Sequence, residues 1–121
     1  MKDCIFCHIQ NPVLENDLAC AIFDKYPVNP GHLLIIPKRH LASLFETTTA
    51  EQSALFELLR QGRELLRQQY QPDGFYIGVN DGTAAGQTVM HLHIHLIPRF
   101  VGDIENPRGG VRGVIPEKRV Y

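Results

Sequence analysis

Three histidines alternate with aliphatic residues near the carboxyl-terminal end of the sequence, at His91, His93 and His95. Successive residues of a β-strand point to opposite faces, so a strand here would place all three imidazoles on one face. Imidazole chemistry leaves three uses open: two neutral rings can share a metal ion, one ring can be a general acid or base, or an unprotonated nitrogen can attack phosphorus or carbon. The aliphatic side chains of the opposite face, which would pack under a helix, are Leu92, Ile94 and Leu96.

The segment before these histidines, residues 80–89, is rich in small residues. A loop of this composition can present several backbone N–H groups to an anion, and it is also typical of a plain turn. It is not a Walker A loop, because its glycine spacing is one residue short and Gln87 stands where the lysine would be.

Cys4 and Cys7 have a spacing that occurs both in metal knuckles and in redox sites. A structural zinc ion needs four ligands, so this pair would require two more from elsewhere in the chain. The third cysteine, Cys20, lies in an apolar segment and is predicted to be a buried thiol. For His8 and His32 the sequence predicts only a packing or surface role.

One long helix is predicted in the middle of the sequence. Thr48 with Glu51, or Thr49 with Gln52, fits a capping-box pattern, leucines then recur at helical spacing, and Pro72 marks the end. A shorter helical segment is predicted at 40–45, after Pro37.

Short β-prone segments lie on both sides of the long helix. A pair of strands, a helix and a second pair, joined by direct connections, predict an α+β domain with a mostly antiparallel sheet. Residues 1–121 are predicted to form a single domain, in which 106–121 make an irregular arm rich in glycine and positive charge. The predicted strands are 19–23, 32–36, 75–80 and 90–97.

Length and charge disfavour several classes of protein. A chain of 121 residues with 44% hydrophobic residues has the size and composition of one globular domain. Its 12 basic and 13 acidic residues give a net charge of −1, which disfavours binding to a nucleic-acid backbone. The apolar runs fall short of the roughly 20 residues that a membrane helix needs, and the N-terminus has no apolar leader segment. The sequence therefore predicts a cytoplasmic protein without nucleic-acid or membrane partners.

Residues 80–98 resemble the signature of the histidine-triad (HIT) superfamily, through Gly86-Gln87-Thr88-Val89 and the three alternating histidines that follow. Two further segments extend the resemblance over nearly the whole chain. Residues 4–7 are similar to the N-terminal segment of the Hint branch, and residues 30–40 are similar to its second block. The resemblance implies a HIT-like α+β fold and a homodimer with one continuous sheet.

The resemblance also implies an activity: hydrolysis at the α-phosphate of a nucleoside 5′-phosphoramidate or a dinucleoside polyphosphate, with a purine base. The middle histidine of the family is the nucleophile and corresponds to His93. His95 would donate a hydrogen bond to a phosphate oxygen or to the bridging atom. Thr88 would form a hydrogen bond near the leaving group. The family's nucleotide-binding positions correspond to Ile5, Phe6, Ile9, Ile22, Phe23, Asp24, Asn80, Gly86, Gln87, Thr88, Val89, His93 and His95.

Zinc-containing relatives complete the cysteine pair with two histidines. The corresponding set here, Cys4, Cys7, His40 and His91, predicts a structural Zn²⁺ site, and no organic cofactor is expected. If zinc takes His91, a catalytic metal centre built from all three alternating histidines becomes the weaker interpretation. The same residues are also compatible with a nucleotide-binding regulatory module with little turnover, and with a nucleotidyltransferase in which phosphate captures the intermediate.

Overall fold

A computed structural model describes residues 3–121 of the chain. It contains one long helix, α1 (Thr49–Tyr70), and five strands. The strands are β1 (Leu14–Glu15), β2 (Ala19–Phe23), β3 (Leu33–Pro37), β4 (Gly74–Gly78) and β5 (Ile94–Arg99). They form one antiparallel sheet in the order β1-β2-β3-β5-β4, which confirms the predicted α+β class. No helix within residues 3–121 combines the length and the apolar character that crossing a membrane requires.

The two faces of the sheet are covered differently, because alternate residues of each strand point to opposite sides. Helix α1 packs on one face, where its leucines meet the aliphatic residues that separate the three histidines, as predicted. The other face carries Leu34 and Ile36, against which Phe6 and Ile9 of the N-terminal segment pack. The histidine side chains at 93 and 95 belong to this second face, away from α1.

The predicted strand at 90–97 is wrong at its start, because β5 begins only at Ile94. The Leu92 N–H donates to the Leu41 carbonyl, and the His91 carbonyl accepts from the His93 ring, so neither group enters the sheet ladder. Two of the three histidines therefore precede the strand. Strand β1 was not predicted, since its two residues are too few to show a period.

The predicted helical segment at 40–45 is also wrong. Only a 3₁₀ turn at Leu44–Glu46 forms, with Ser43 as its N-cap. The carbonyls of Leu41 and Ala42, which a helix would use internally, instead accept from the Leu92 N–H and the Gln87 side chain. Tertiary hydrogen bonds thus replace the local ones.

The predicted capping box starts α1. The Thr48 hydroxyl accepts from the Glu51 N–H, and the Glu51 carboxylate accepts from the Thr48 N–H. Glu51 is buried and also accepts two hydrogen bonds from Arg39, at 2.9 and 2.8 Å. The hydrogen bonds from Arg39 lower the pKa of Glu51 from 4.5 to about 2.

Replacing Glu51 with glutamine should make the free energy of unfolding depend less on pH below pH 4.5. A carboxyl whose pKa is lower in the folded state contributes stability above its unfolded pKa, and this contribution is lost as the pH falls through the folded value. The free energy of unfolding of the wild type should therefore drop more steeply than that of Glu51→Gln between pH 4.5 and about pH 2. Urea titrations across this range measure the difference, with Glu57→Gln on the exposed face of α1 as control. Parallel profiles for wild type and Glu51→Gln would contradict the assignment.

Residues 106–121 fold back on themselves through two 3₁₀ turns, Gly110–Val114 and Pro116–Lys118. The Arg119 guanidinium donates to the carbonyls of Asn106 and Arg108, and Arg108 and Arg112 both stack on the Tyr121 ring. The first of these turns contacts β4, which forms an edge of the sheet.

Candidate functional site

A cavity of about 680 Å³ lies on the sheet face opposite α1. Its floor follows one cross-strand row, in which Ile22 of β2, Leu34 of β3 and His95 of β5 are neighbours. Every residue predicted to bind nucleotide lines this cavity, with the exception of Gln87. The lining combines apolar side chains of the N-terminal segment and β2 with the polar groups of Asp24, Asn80 and the histidines. Such a mixture suits a ligand with an apolar ring and a polar, charged remainder.

The proton on Nδ1 of His93 follows from the hydrogen bond that this nitrogen makes. Its Nδ1 lies 2.8 Å from the His91 carbonyl oxygen, which can only accept. Nδ1 therefore carries a proton, and in the neutral ring Nε2 has a free lone pair on a side chain that lines the cavity. The Phe6 ring packs edge-on against this imidazole, with centroids 5.0 Å apart, and fixes its orientation. The ring is thus prepared to act as a nucleophile or a base.

His95 has a different environment. Its ring centroid lies 5.2 Å from that of His93, and its Nδ1 lies 2.9 Å from Nε2 of His32. Burial, reinforced by the neighbouring His93 and His32, lowers the pKa of His95 to about 4. The side chain is therefore neutral at neutral pH and presents one N–H and one lone pair.

Asp24 follows β2 directly and lines the same cavity. One of its carboxylate oxygens accepts from the Tyr26 N–H at 2.9 Å, and the other lies 3.5 Å from Nε2 of His32. The hydrogen bond from the Asp24 N–H to the His32 carbonyl closes the connection between β2 and β3. A carboxylate held in this way can accept hydrogen bonds from a pair of hydroxyls.

Gln87 braces the loop instead of lining the cavity. Its side chain is only 4% exposed, accepts from the Gly82 N–H, and donates to the carbonyls of Ala42 and Val89. Gly82 and Gly86 have positive φ values, 94° and 97°, which glycine adopts without steric cost and which let the loop turn around this side chain. Gln87 therefore positions Thr88 and Val89 at the cavity without facing it.

The four predicted metal ligands come together in a separate cluster. Their ligand atoms all lie within 4.8 Å of one another. Sγ of Cys4 is 3.3 Å from Nδ1 of His91, and Sγ of Cys7 is 3.3 Å from Nδ1 of His40. Tetrahedral zinc, with bonds of about 2.1 Å to nitrogen and 2.3 Å to sulfur, places neighbouring ligand atoms about 3.4–3.7 Å apart. The cluster therefore has the composition and nearly the spacing of a Cys₂His₂ zinc site.

The His91 ring is prepared for such a role. It is fully buried, and its Nε2 donates to the Pro37 carbonyl at 2.8 Å. Nδ1 is then unprotonated and faces the two sulfur atoms, as a metal ligand must. Burial lowers the pKa of His91 and raises that of the Cys4 thiol.

Several residues of the site were not predicted from the sequence. His32 was expected to have a packing or surface role, yet it is buried between Asp24 and His95. No local sequence signal could have found it, because the contact depends on the pairing of β3 with β5, which places Leu34 opposite His95. Six residues of the cavity lining were not predicted, and two of them directly follow predicted ones: Gln10, Asn11, Val13, Lys25, Tyr26 and Leu34.

The antiparallel sheet, the single long helix and the cavity-lining histidines at alternate positions define the class of histidine-triad proteins. Residues 9–102 match the HIT domain, and this match covers more than half of the chain. The protein therefore belongs to the HIT family.

Two curated relatives illustrate the enzymes to which the chain is similar. It is 36% identical over 92 residues to an AP-4-A phosphorylase of Mycobacterium tuberculosis, with 75% of this chain and 47% of the relative covered. It is 37% identical over 86 residues to the asymmetrical bis(5′-nucleosyl)-tetraphosphatase of Schizosaccharomyces pombe, and the match covers 71% of this chain and 47% of the relative. The chain thus spans about half the length of each of these proteins.

Among solved structures, a zinc-bound histidine-triad family protein from Mycobacterium smegmatis superposes with a TM-score of 0.77. The two chains are 31% identical, and the match covers 87% of this chain and 81% of the other. The relationship therefore holds for fold as well as for sequence.

Proposed function

We propose that the protein is a nucleotide hydrolase that cleaves at the α-phosphate of its substrate through a nucleotidyl-histidine on His93. One observation carries the proposal. The hydrogen bond from Nδ1 of His93 to the His91 carbonyl fixes the tautomer in which Nε2 of the neutral ring is unprotonated, and this ring lines the nucleotide-sized cavity. Asp24 and the apolar side chains of the same lining suit a ribose and a base.

The reaction has two displacements. Nε2 of His93 attacks the α-phosphorus, the N–P bond forms, and the bond to the leaving group breaks with its electron pair. Water then attacks the same phosphorus, breaks the N–P bond and releases the nucleoside monophosphate, while Nε2 regains its lone pair. The N–H groups of His95 and of the Gly86–Val89 backbone would stabilise the charge that develops on the phosphoryl oxygens. The Thr88 side chain, which lines the same cavity, would bind near the leaving group.

The cluster of Cys4, Cys7, His40 and His91 fits Zn²⁺, and we assign it a structural role. A bound zinc ion would cross-link the N-terminal segment to the histidine segment. The Phe6 ring contacts both His91 and His93, so this connection would help to hold the nucleophile in place. No organic cofactor is needed for the two displacements.

Dinucleoside polyphosphates and nucleoside 5′-phosphoramidates are the proposed substrates, with a purine base. The names of both curated relatives support the former class. We further propose that the protein is a cytoplasmic homodimer joined through the edge of the sheet. Within residues 3–121, strand β4 pairs only with β5, and it exposes Ile77; both features support this arrangement.

A parallel assay on diadenosine tetraphosphate and adenosine 5′-phosphoramidate tests the proposal. We expect release of AMP from at least one substrate, and mass spectrometry of the rapidly quenched enzyme should find an AMP adduct on the peptide that contains His93. Addition of inorganic phosphate tests the second candidate, which the phosphorylase relative favours: formation of ADP would identify a nucleotidyltransferase. Binding of AMP without turnover of either substrate would instead indicate a regulatory module.

A further inference from the structure

Two amide side chains of the cavity lining, Gln10 and Asn11, take no part in the chemistry proposed above. They belong to the segment that leads into β1, and a single proline separates Asn11 from Val13. Both residues are exposed, and neither side chain makes a hydrogen bond within residues 3–121. Their donors and acceptors are therefore available to a molecule that binds in the cavity.

The sheet register shows where these amides lie relative to the histidines. One cross-strand row runs from His95 through Leu34 to Ile22. The register of β1 with β2 extends this row to Val13, whose N–H donates to the Ala21 carbonyl at 2.8 Å. Neighbouring strands lie about 4.8 Å apart, so three steps place Val13 about 14 Å from His95. An extended nucleoside monophosphate spans this distance.

The outer edge of a bound base therefore lies beside the two amides. A phosphate group at His93 directs the nucleoside along the row, so its base passes over Ile22 and ends near Gln10 and Asn11. The aliphatic side chain of Ile22 can contact the face of any base and makes no hydrogen bond. Specificity for one base then depends on the polar groups at the end of the row.

The backbone brings both amides to the cavity. Consecutive residues of an extended segment point to opposite sides, yet Gln10 and Asn11 both line the cavity. Asn11 has a left-handed backbone, with φ of 56°, which asparagine adopts more readily than most residues. The chain therefore turns at Asn11, and this turn lets two neighbouring side chains face the same ligand.

The chemistry of an amide favours adenine over guanine. An amide carries a donor next to an acceptor. Adenine has the complementary pair on both of its outer edges, because its 6-amino group donates beside N7 on one edge and beside N1 on the other. Guanine has only acceptors, O6 and N7, on the first of these edges. An amide can thus pair with adenine whichever of the two edges faces it.

We propose that Gln10 and Asn11 are specificity-determining residues that bind the outer edge of the base and favour adenine over guanine. This inference rests on the proposed function, because it places the phosphate of the nucleotide at His93. It concerns the binding of the base, so it can be tested without turnover.

Three variants separate recognition of the edge from packing at this end of the cavity. Gln10→Met/Asn11→Gly removes both amides, keeps the length of the first side chain and suits the left-handed backbone of the second. Val13→Ala shortens an apolar side chain of the same end and should weaken the binding of every base by a similar factor. Gln69→Met, on the exposed face of α1, is the control that should leave all affinities unchanged.

Isothermal titration calorimetry would measure the affinities for AMP, GMP and the 5′-monophosphate of purine riboside, which lacks the 6-amino group. We expect the wild type to bind AMP about 10-fold more tightly than either other ligand, and the double variant to bind all three within about 2-fold. Equal affinities of the wild type for AMP and GMP would overturn the proposal. A double variant that weakens all three ligands by one factor, and so keeps the wild-type ratio, would also overturn it.

The same measurements distinguish this inference from the proposed function. AMP-selective binding that the double variant loses, in a protein without turnover, would support the base recognition and contradict the hydrolase. Turnover without selectivity between AMP and GMP would do the reverse. The comparison of AMP with purine riboside monophosphate in the wild type decides whether the 6-amino group is recognised, even if the double variant does not fold.

Discussion

Replacing His93 with glycine is expected to abolish turnover while leaving the fold intact. The side chain lies in the cavity and not among the buried residues under α1, so its loss removes a reacting group without opening the main core. Removal of a catalytic nucleophile typically lowers kcat by about 10⁴-fold or more, because the remaining groups cannot form the covalent intermediate. Steady-state kinetics on the better of the two substrates measure the loss, and circular dichroism checks the fold.

Free imidazole offers a sharper test of the same variant. The space vacated in His93→Gly can admit imidazole, whose nitrogen can attack the α-phosphorus in place of the missing side chain. We expect partial recovery of substrate consumption that increases with imidazole concentration. His8→Gly removes an exposed histidine outside the cavity lining and serves as the control that should keep wild-type kcat. Full activity in folded His93→Gly would remove the nucleophile from its role and return the metal mechanism to consideration.

The three alternating histidines differ in their environment because each imidazole has a different hydrogen-bond partner. Nε2 of His91 donates to the Pro37 carbonyl, which leaves Nδ1 for the two cysteines. Nδ1 of His93 donates to the His91 carbonyl, which leaves Nε2 on a ring that lines the cavity. Nδ1 of His95 lies 2.9 Å from Nε2 of His32. The alternating sequence sets the spacing of the rings, and the carbonyl or imidazole beside each ring determines which nitrogen is free.

Features with a local period were predictable from the sequence. The capping box at Thr48 and Glu51, and the burial of Leu92, Ile94 and Leu96 under α1, follow from spacing alone and are present in the structure. The family resemblance added the expected set of cavity residues, most of which the structure brings together.

Features that depend on distant partners were not predictable in this way. His32 and His95 are 63 positions apart, so their contact follows from strand pairing and not from any local pattern. Gln87 resembles a ligand-binding residue in the sequence, but the loop it closes needs its amide for Gly82, Ala42 and Val89. The segment at 40–45 has helical spacing, yet its carbonyls are occupied by other parts of the chain. At 40–45, hydrogen bonds from distant residues thus outweigh the local helical preference.

Removal of the zinc ligands is expected to have the largest effect on stability. The wild type should bind one Zn²⁺ per chain at Cys4, Cys7, His40 and His91, and the double variant Cys4→Ala/Cys7→Ala should bind none. Binding to the folded state alone adds its free energy to folding, so the double variant should lose about 4 kcal/mol or more of unfolding free energy. For a domain of this size, such a loss lowers the Tm by roughly 15 °C.

Metal analysis by mass spectrometry and thermal unfolding test this expectation without reference to activity. Cys20→Ala is the matched control, because Cys20 is buried in β2 and is not part of the cluster, and it should retain the zinc. A structural role further predicts that chelated protein, assayed well below its Tm, keeps turnover in proportion to its folded fraction. Loss of turnover in a chelated protein that stays folded would identify a catalytic metal instead, and a double variant that binds zinc as well as wild type does would disprove the site.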